Sequence, residues 1–465
     1  MTDYAELLKA DHDQAAHAIQ LVDSEGFPAW LRKQPERVRT AIAGQKFNGK
    51  PNEVAILPGD KAAEWSAVGG VADTEKLSTW CLAKLAETLP EGTYRLHDAP
   101  GGAAMLGWLT AQYRFETYRK DDAAPGPRIL LTRDIARIAP TVGQAEAVAL
   151  VRDLVNTPAA DMGPADLEAA AVEIAEAFGA VLTVVRGEEL QTQFPMIHAV
   201  GRAADRAFSP RLIEFRWGDP SHPKVAIVGK GVSFDSGGLD IKPSSGMRLM
   251  KKDMGGAAHA LALAMLVMES RLPVRLHLLI PAVENAIAGN AFRPGDILRS
   301  RKGLSVEIGN TDAEGRLILG DALAKAVEDG PEMILDFATL TGAARVALGP
   351  DLPALFANDD ALAADLERAG GQVDDPLWRL PLWSPYADML KSDIADINNA
   401  GEGGFAGSIT AALFLQKFVP ASIAWAHFDT FAWRPAAKPG RPKGGEALGL
   451  RAAFAMLQQR YGRTA

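Results

Sequence analysis

The sequence predicts an α/β fold in two parts, a smaller N-terminal α/β domain over residues 1–140 and a larger one over residues 141–465. The larger part is expected to carry a mixed, largely parallel central sheet flanked by helices. Three observations carry this expectation. Strand-like and helix-like segments alternate along most of the chain, the pattern of strands joined by crossover helices. The run Val225–Val228 is apolar throughout, as a central strand covered on both faces is. At 465 residues the chain is longer than one hydrophobic core usually serves.

In the N-terminal part, Val54–Pro58 reads as a strand ended by Pro-Gly, and Lys76 to Thr88 as a polar helix. Thr93–His97 alternates like a strand. Met105 to Tyr118 has a helical period, with Trp108, Tyr113 and Phe115 as core anchors, and Arg128–Thr132 is a further strand. Residues 119–127 read as a polar loop. Gln144 to Leu154 reads as a helix bridging the two parts. Asn156 opens a stretch with turn and helix-start signals, and the helix runs to about Phe178. Strands are expected at Val181–Val185, Leu212–Trp217, Val225–Val228, Arg275–Ile280 and Met333–Phe337. Between them lie helical patterns, notably Gly255–Glu269 and Leu317–Glu328. Pro435–Gly445 is a Gly/Pro-rich loop, and no internal repeat is present.

Composition narrows the function classes. With 48% hydrophobic and 23% charged residues the chain is an ordinary globular protein. Its 49 basic against 58 acidic residues leave a net charge of -9, which argues against non-specific nucleic-acid binding. Cys81 is the only cysteine, so an intramolecular disulfide is impossible. Its surroundings read as an amphipathic helix with a buried structural thiol. The acidic N-terminus lacks the features of a signal peptide. No apolar run reaches the ~18 residues of a membrane span. A cytosolic protein without a membrane partner is expected.

Three segments carry the chemistry. The first, Val228–Pro243, places Lys230 and Asp235 just after the apolar strand, where open α/β sheets bind ligands. Its glycines match neither a phosphate loop nor a dinucleotide fingerprint; they are expected to let backbone approach a crowded site. The second, Met250–Ala258, puts Asp253 at the start of a small-residue helix, where a lone Asp would ordinarily be a cap. The third, Asn310–Arg316, alternates Asp312, Glu314 and Arg316. If extended, it would turn all three to one face; a surface turn with an incidental salt bridge is the plainer alternative. Together these carboxylates can hold two divalent ions that activate a water and polarise a carbonyl. The eight histidines show no zincin spacing, and His259 and His277 read as structural.

The run Asn-Thr-Asp-Ala-Glu-Gly-Arg at 310–316 resembles the signature of the leucyl aminopeptidase family of two-metal cytosol aminopeptidases. So do Gly229–Gly238, Ile241–Pro243 and Asp253–Ala258. Leu340–Ala343, Trp383 to Asn399, Ala406–Ala412 and Trp425–Asp429 extend the likeness over most of residues 150–450. The first part matches only weakly, at Gly107–Leu109 and Tyr113–Phe115. The resemblance implies a macro-like N-terminal domain and a catalytic metallopeptidase domain that removes the N-terminal residue of peptides. It implies Lys230, Asp235, Asp253, Asp312 and Glu314 as metal ligands, with Asp235 and Glu314 shared between the ions. It implies Lys242 and Arg316 as catalytic, the latter holding a bicarbonate. Met250, Asp253, Thr339, Leu340 and Gly342 would form the substrate site. The implied metals are two Zn or Mn ions, with Mg as a further candidate, and the implied assembly is a homohexamer. A neutral Lys230 amine is needed for ligation, because an ammonium has no lone pair.

One departure stands out. After Asp429 the family tends to have small residues, whereas this chain has Thr430-Phe431-Ala432-Trp433, and Lys438–Gly445 also departs. Altered selectivity is expected, the alternative being two aromatic core residues. Rival readings are a two-metal hydrolase restricted to dipeptides or amino-acid amides, and a non-catalytic binding or scaffold homologue.

Overall fold

The computed structural model describes residues 2–61, 64–97, 100–119, 126–401 and 403–462. Of the expected loop at 119–127, residues 120–125 lie outside them. The chain divides into two compact units, residues 1–149 with 436–443 and residues 150–435 with 444–465. The division falls inside the helix Ile138–Asn156. Residues 436–443, part of the Gly/Pro-rich loop, therefore group with the N-terminal unit.

The first unit holds a six-stranded sheet. Its order is Leu8–Ala10, Arg128–Thr132, Gly92–Leu96, His17–Val22, Trp65–Gly70 and Val54–Pro58. All neighbours are parallel except the last pair. Two expected helices are shorter here. The Lys76–Thr88 pattern yields a helix only over Ala83–Thr88. Before it, the Ser78 carbonyl accepts both the Cys81 N–H and its thiol, a local turn that competes with helix. Cys81 is half-buried rather than buried. The Met105–Tyr118 pattern stops at Thr110. There the Gln112 side chain pairs with both backbone groups of Arg128 (2.9 and 3.0 Å), leaving the helix to bind the neighbouring strand. Trp108 is the core anchor, fully buried with its indole N–H on the Arg128 carbonyl. Tyr113 and Phe115 are only half-buried.

The second unit is built on a nine-stranded sheet. Its order is Trp378–Arg379, Ala354–Ala357, Ala424–Asp429, Met333–Ala338, Lys224–Gly229, Arg275–Asn285, Arg211–Trp217 and Val181–Arg186. The ninth strand, Gly231–Asp235, pairs in parallel with the far half of Arg275–Asn285. The centre is parallel, and antiparallel neighbours lie toward both edges. The helices Gly255–Glu269 and Glu314–Glu328 bury nearly their whole surfaces. Gly256 permits the first to lie on the sheet, since a Cβ there would stand 2.1 Å from the Phe337 carbonyl oxygen. No described helix is long and apolar enough to cross a membrane.

Asp321, fully buried on the helix Glu314–Glu328, ties distant segments together. It accepts backbone N–H bonds from Met196 (2.8 Å), Ile197 (3.4 Å) and Arg301 (2.7 Å). Asp321→Ala leaves these donors buried without partners, at ~1–3 kcal/mol each for the two short bonds. We expect a loss of about 2–6 kcal/mol, read from the urea midpoint at unchanged slope. A midpoint within error of the parent would contradict it.

Candidate active site

The parallel strands of the second unit end on one side, and their carboxyl ends supply the polar residues. Lys230 follows Lys224–Gly229, Asp235 ends Gly231–Asp235, Thr339 follows Met333–Ala338, and Asp429 ends Ala424–Asp429. Pairing fixes the level of each. The Lys230 N–H donates to the Phe337 carbonyl and its carbonyl accepts from Ala257, locking the lysine between strand and helix. The side chain then runs past Gly315, where a Cβ would meet Lys230 Cε at 2.3 Å. Glycine at 315 is thus what lets the lysine through.

Asp253 lies in the short turn Met250–Met254 rather than at a cap, since Met254 is the N-cap of the following helix and makes no side-chain bond there. Its carboxylate accepts from Lys230, from Lys252 at 3.5 Å and from the Thr339 hydroxyl at 2.8 Å. Asp312 and Glu314 do not alternate along an extended strand. Asp312 lies in a turn, and Glu314 and Arg316 lie in the first turn of the helix Glu314–Glu328. Asp312 thus follows the turn alternative, and the helix expected from Leu317 begins three residues earlier, inside the motif.

Even so, these residues converge. Carboxylate oxygens of Asp235, Asp312 and Glu314 all lie within 4.8 Å of one another. Lys242 Nζ is 2.8 Å from Asp235 and 2.5 Å from Asp312. Lys230 Nζ pairs with Asp253 and lies 3.1 Å from Glu314. All seven predicted ligand and catalytic residues line one cavity of about 470 Å³, together with Met250, Thr339, Leu340 and Gly342.

The electrostatics show a cluster short of positive charge. Burial, then the neighbouring Asp235, pushes Glu314 up to about 8 and Asp312 up to about 6. Burial alone would push Lys230 down, yet Asp253, Glu314 and Asp235 together hold it well above the usual lysine range. The same holds for Lys242, with Asp235 and Asp312 as partners. The two ends of the Lys230–Glu314 pair shift in ways that do not match. Lys230 gains from three carboxylates at once, while Glu314 is raised by burial and by Asp235 and Asp253 against the opposing pull of Lys230 and Lys242. Without metal, Lys230 is therefore an ammonium, not the neutral amine that ligation needs. The donor set fits divalent cations: it is oxygen-rich, two of its three clustered carboxylates are buried, and they repel one another.

Several supporting residues were not singled out from sequence. Asn285 donates to Asp235 Oδ1 at 2.9 Å and to the Thr311 carbonyl at 3.1 Å. Asn399 accepts from Gly309 and Asn310 and donates to the Asn310 carbonyl, shaping the loop before Asp312. Asp429 accepts the N–H groups of Leu340 (3.0 Å) and Thr341 (3.1 Å) and the Thr341 hydroxyl (2.6 Å). Single polar residues on separate strands and loops leave no spacing signal. His259 is structural: it contacts the Gly255 carbonyl and accepts from Leu448 N–H. His277 sits between Glu214 and Asp329, away from the cavity. The two unusual aromatics divide. Phe431 lines the cavity, while Trp433 is buried with the Lys251 ammonium 5.7 Å over its ring.

Comparison with known proteins places the chain in one family. The family model described as "Cytosol aminopeptidase family, catalytic domain" matches residues 149–454, and one described as "M17 aminopeptidase, N-terminal domain" matches residues 18–130. A probable cytosol aminopeptidase of Syntrophotalea carbinolica is 42% identical over 389 residues, 78% of each chain. The crystal structure of a cytosol aminopeptidase from Coxiella burnetii superposes with a TM-score of 0.93 at 47% identity, covering 98% of this chain and 99% of that one. The bottromycin maturation enzyme BotP, solved in complex with Mn, superposes with a TM-score of 0.86 at 31% identity, covering 96% of this chain and 100% of that one.

Proposed function

For a chain that belongs to the cytosol aminopeptidase family and is a metal-dependent aminopeptidase with a two-metal site, we propose the following roles for its residues. Lys230, Asp235, Asp253, Asp312 and Glu314 hold two divalent ions. The observation that carries this is the convergence of the carboxylates of Asp235, Asp312 and Glu314 from three separate segments on one buried point. Bound there, the ions supply a water of lowered pKa and polarise the scissile carbonyl. Lys242 presents an ammonium at the cavity wall, 14% exposed, to stabilise negative charge developing on the carbonyl oxygen. Asp253 receives the free amino group of the substrate. Met250, Thr339, Leu340 and Gly342 form the wall against which the N-terminal residue lies, and Asp429 holds the Leu340–Thr341 backbone in position.

Arg316 is proposed as the residue that would hold a small anion, bicarbonate, which would supply a general base. Its guanidinium donates to the Asn399 carbonyl at 2.7 Å, and its buried Nε finds no partner among the described residues. Manganese or zinc is the proposed metal, since magnesium is bound more weakly by an amine nitrogen such as that of Lys230; manganese is supported by the Mn complex of BotP. A cytosolic homohexamer acting on peptides is the proposed setting. A narrower substrate range, restricted to dipeptides or amino-acid amides, is favoured by Phe431 standing in the cavity.

The test is metal stripping followed by reconstitution with Mn, Zn or Mg singly. Bound metal per chain and hydrolysis of an aminoacyl-peptide panel are then measured. Two ions per chain and restored exopeptidase activity are expected. A chain that takes up no metal and cleaves nothing would defeat the assignment.

A further inference from the structure

Phe431 stands against two cations. The Arg345 guanidinium lies over its ring at 4.7 Å from the centroid, and the Lys252 ammonium approaches it at 5.6 Å. The two cations differ in what they have left to offer. Lys252 is buried and already faces Asp253 at 3.5 Å. Arg345 is exposed to the cavity, and no carboxylate among the described residues forms an ion pair with it. Its Nη2 lies 3.9 Å from where a Cβ on Gly342 would stand, so the charge hangs beside the proposed substrate wall.

A guanidinium stacked on an aromatic ring uses one flat face there and keeps its edge N–H groups free. Those edges match a carboxylate in two parallel hydrogen bonds. An apolar side chain placed in the same space would satisfy none of them. Phe431 thus does two things: it takes up room that a small residue would leave open, and it seats the Arg345 guanidinium over its ring.

We propose that Arg345 is a specificity-determining residue that recognises a carboxylate on the peptide substrate, that of an N-terminal Glu or Asp side chain. This rests on the aminopeptidase reading above. The other source of the same chemistry is the terminal carboxylate of a short peptide, and the two are separable.

The experiment uses the metal-loaded, full-length protein and compares kcat/KM on Glu-, Gln-, Asp- and Leu-p-nitroanilide, and on Leu-Ala against its C-terminal amide. Wild type is expected to cleave Glu faster than its neutral isostere Gln. Arg345→Met should lower the Glu/Gln ratio ~10- to 100-fold, the value of one charge-assisted contact. Arg345→Lys should recover part of it. A fall only in the Leu-Ala/Leu-Ala-amide ratio would uphold carboxylate recognition and move its source to the peptide C-terminus. Both ratios unmoved in Arg345→Met, with Leu-p-nitroanilide still cleaved, overturn the proposal alone. A metal-loaded wild type that cleaves no substrate overturns the aminopeptidase reading, and this proposal with it.

Discussion

Replacing Lys242 with methionine should lower kcat about 100- to 1000-fold, the usual cost of removing one donor to a developing oxyanion, while two metals remain bound. Lys242 has a side chain only 14% exposed yet lines the cavity, and its ammonium lies 2.8 Å from Asp235 and 2.5 Å from Asp312. In the metal-free protein its proton is held firmly by those carboxylates, against burial. The charge that neutralises the carboxylates in the metal-free protein is available to a carbonyl oxygen once other cations meet them. Methionine keeps the length of the side chain and removes only the charge and the donors. Arginine keeps the charge in a different shape and should restore only part of the rate. Steady-state kinetics with metal content measured on the same sample decides it. A variant within threefold of the parent, with full metal, would refute the role; loss of metal would make Lys242 a structural counterion instead.

Glu314→Gln should weaken metal binding by ~10²- to 10⁴-fold, because it removes one charged partner from a buried ionic site, worth ~3–5 kcal/mol. Activity at limiting metal should fall with it. The metal-free proteins should behave in the opposite sense. Burial and Asp235 raise Glu314 in the folded chain to about 8, above the ordinary 4.5. The folded state therefore holds this proton more tightly than the unfolded state. Stability from this group is present below about pH 4.5 and is lost as pH rises towards 8. Glutamine carries no proton to lose, so the metal-free variant should melt no lower than the metal-free parent at pH 8. Calorimetric metal titration and thermal melts at pH 5 and 8 separate the two effects. Unchanged metal affinity would remove Glu314 from the ligand set. A metal-free variant much less stable at pH 8 would show that its contact with Lys230, 3.1 Å away, outweighs the repulsion.

The division between Phe431 and Trp433 bears on selectivity. The sequence placed both beside the side-chain pocket, with core packing as the alternative. Each expectation describes one of them. Thr430 is held to the Ala338 carbonyl, and Ala432 takes a left-handed φ of 52°. That reversal sends the neighbouring aromatics to different surroundings, one to the cavity and one to the interior. A left-handed alanine has no signature in sequence, since the conformation is imposed by the packing on either side.

Sequence by itself determined the family, the α/β class and the chemical identity of the site. Asn310–Arg316 and the Lys230–Asp235 segment are dense in groups whose chemistry leaves few alternatives, and the strand and helix periods are local properties of the chain. The central strands and the helix Gly255–Glu269 were legible for that reason. Tertiary structure alone decided what depends on distance between remote segments. It set the turn that brings Asp312 and Glu314 to Asp235, the glycine at 315 that lets Lys230 pass, and Asn285, Asn399 and Asp429 as the residues that hold the site's backbone. It also cut short the two N-terminal helices, where side-chain bonds to neighbouring backbone won over helical period. Arg345 belongs to the same class: nothing in its local sequence marks it, and only the ring of Phe431, 86 residues further on, gives its charge a place.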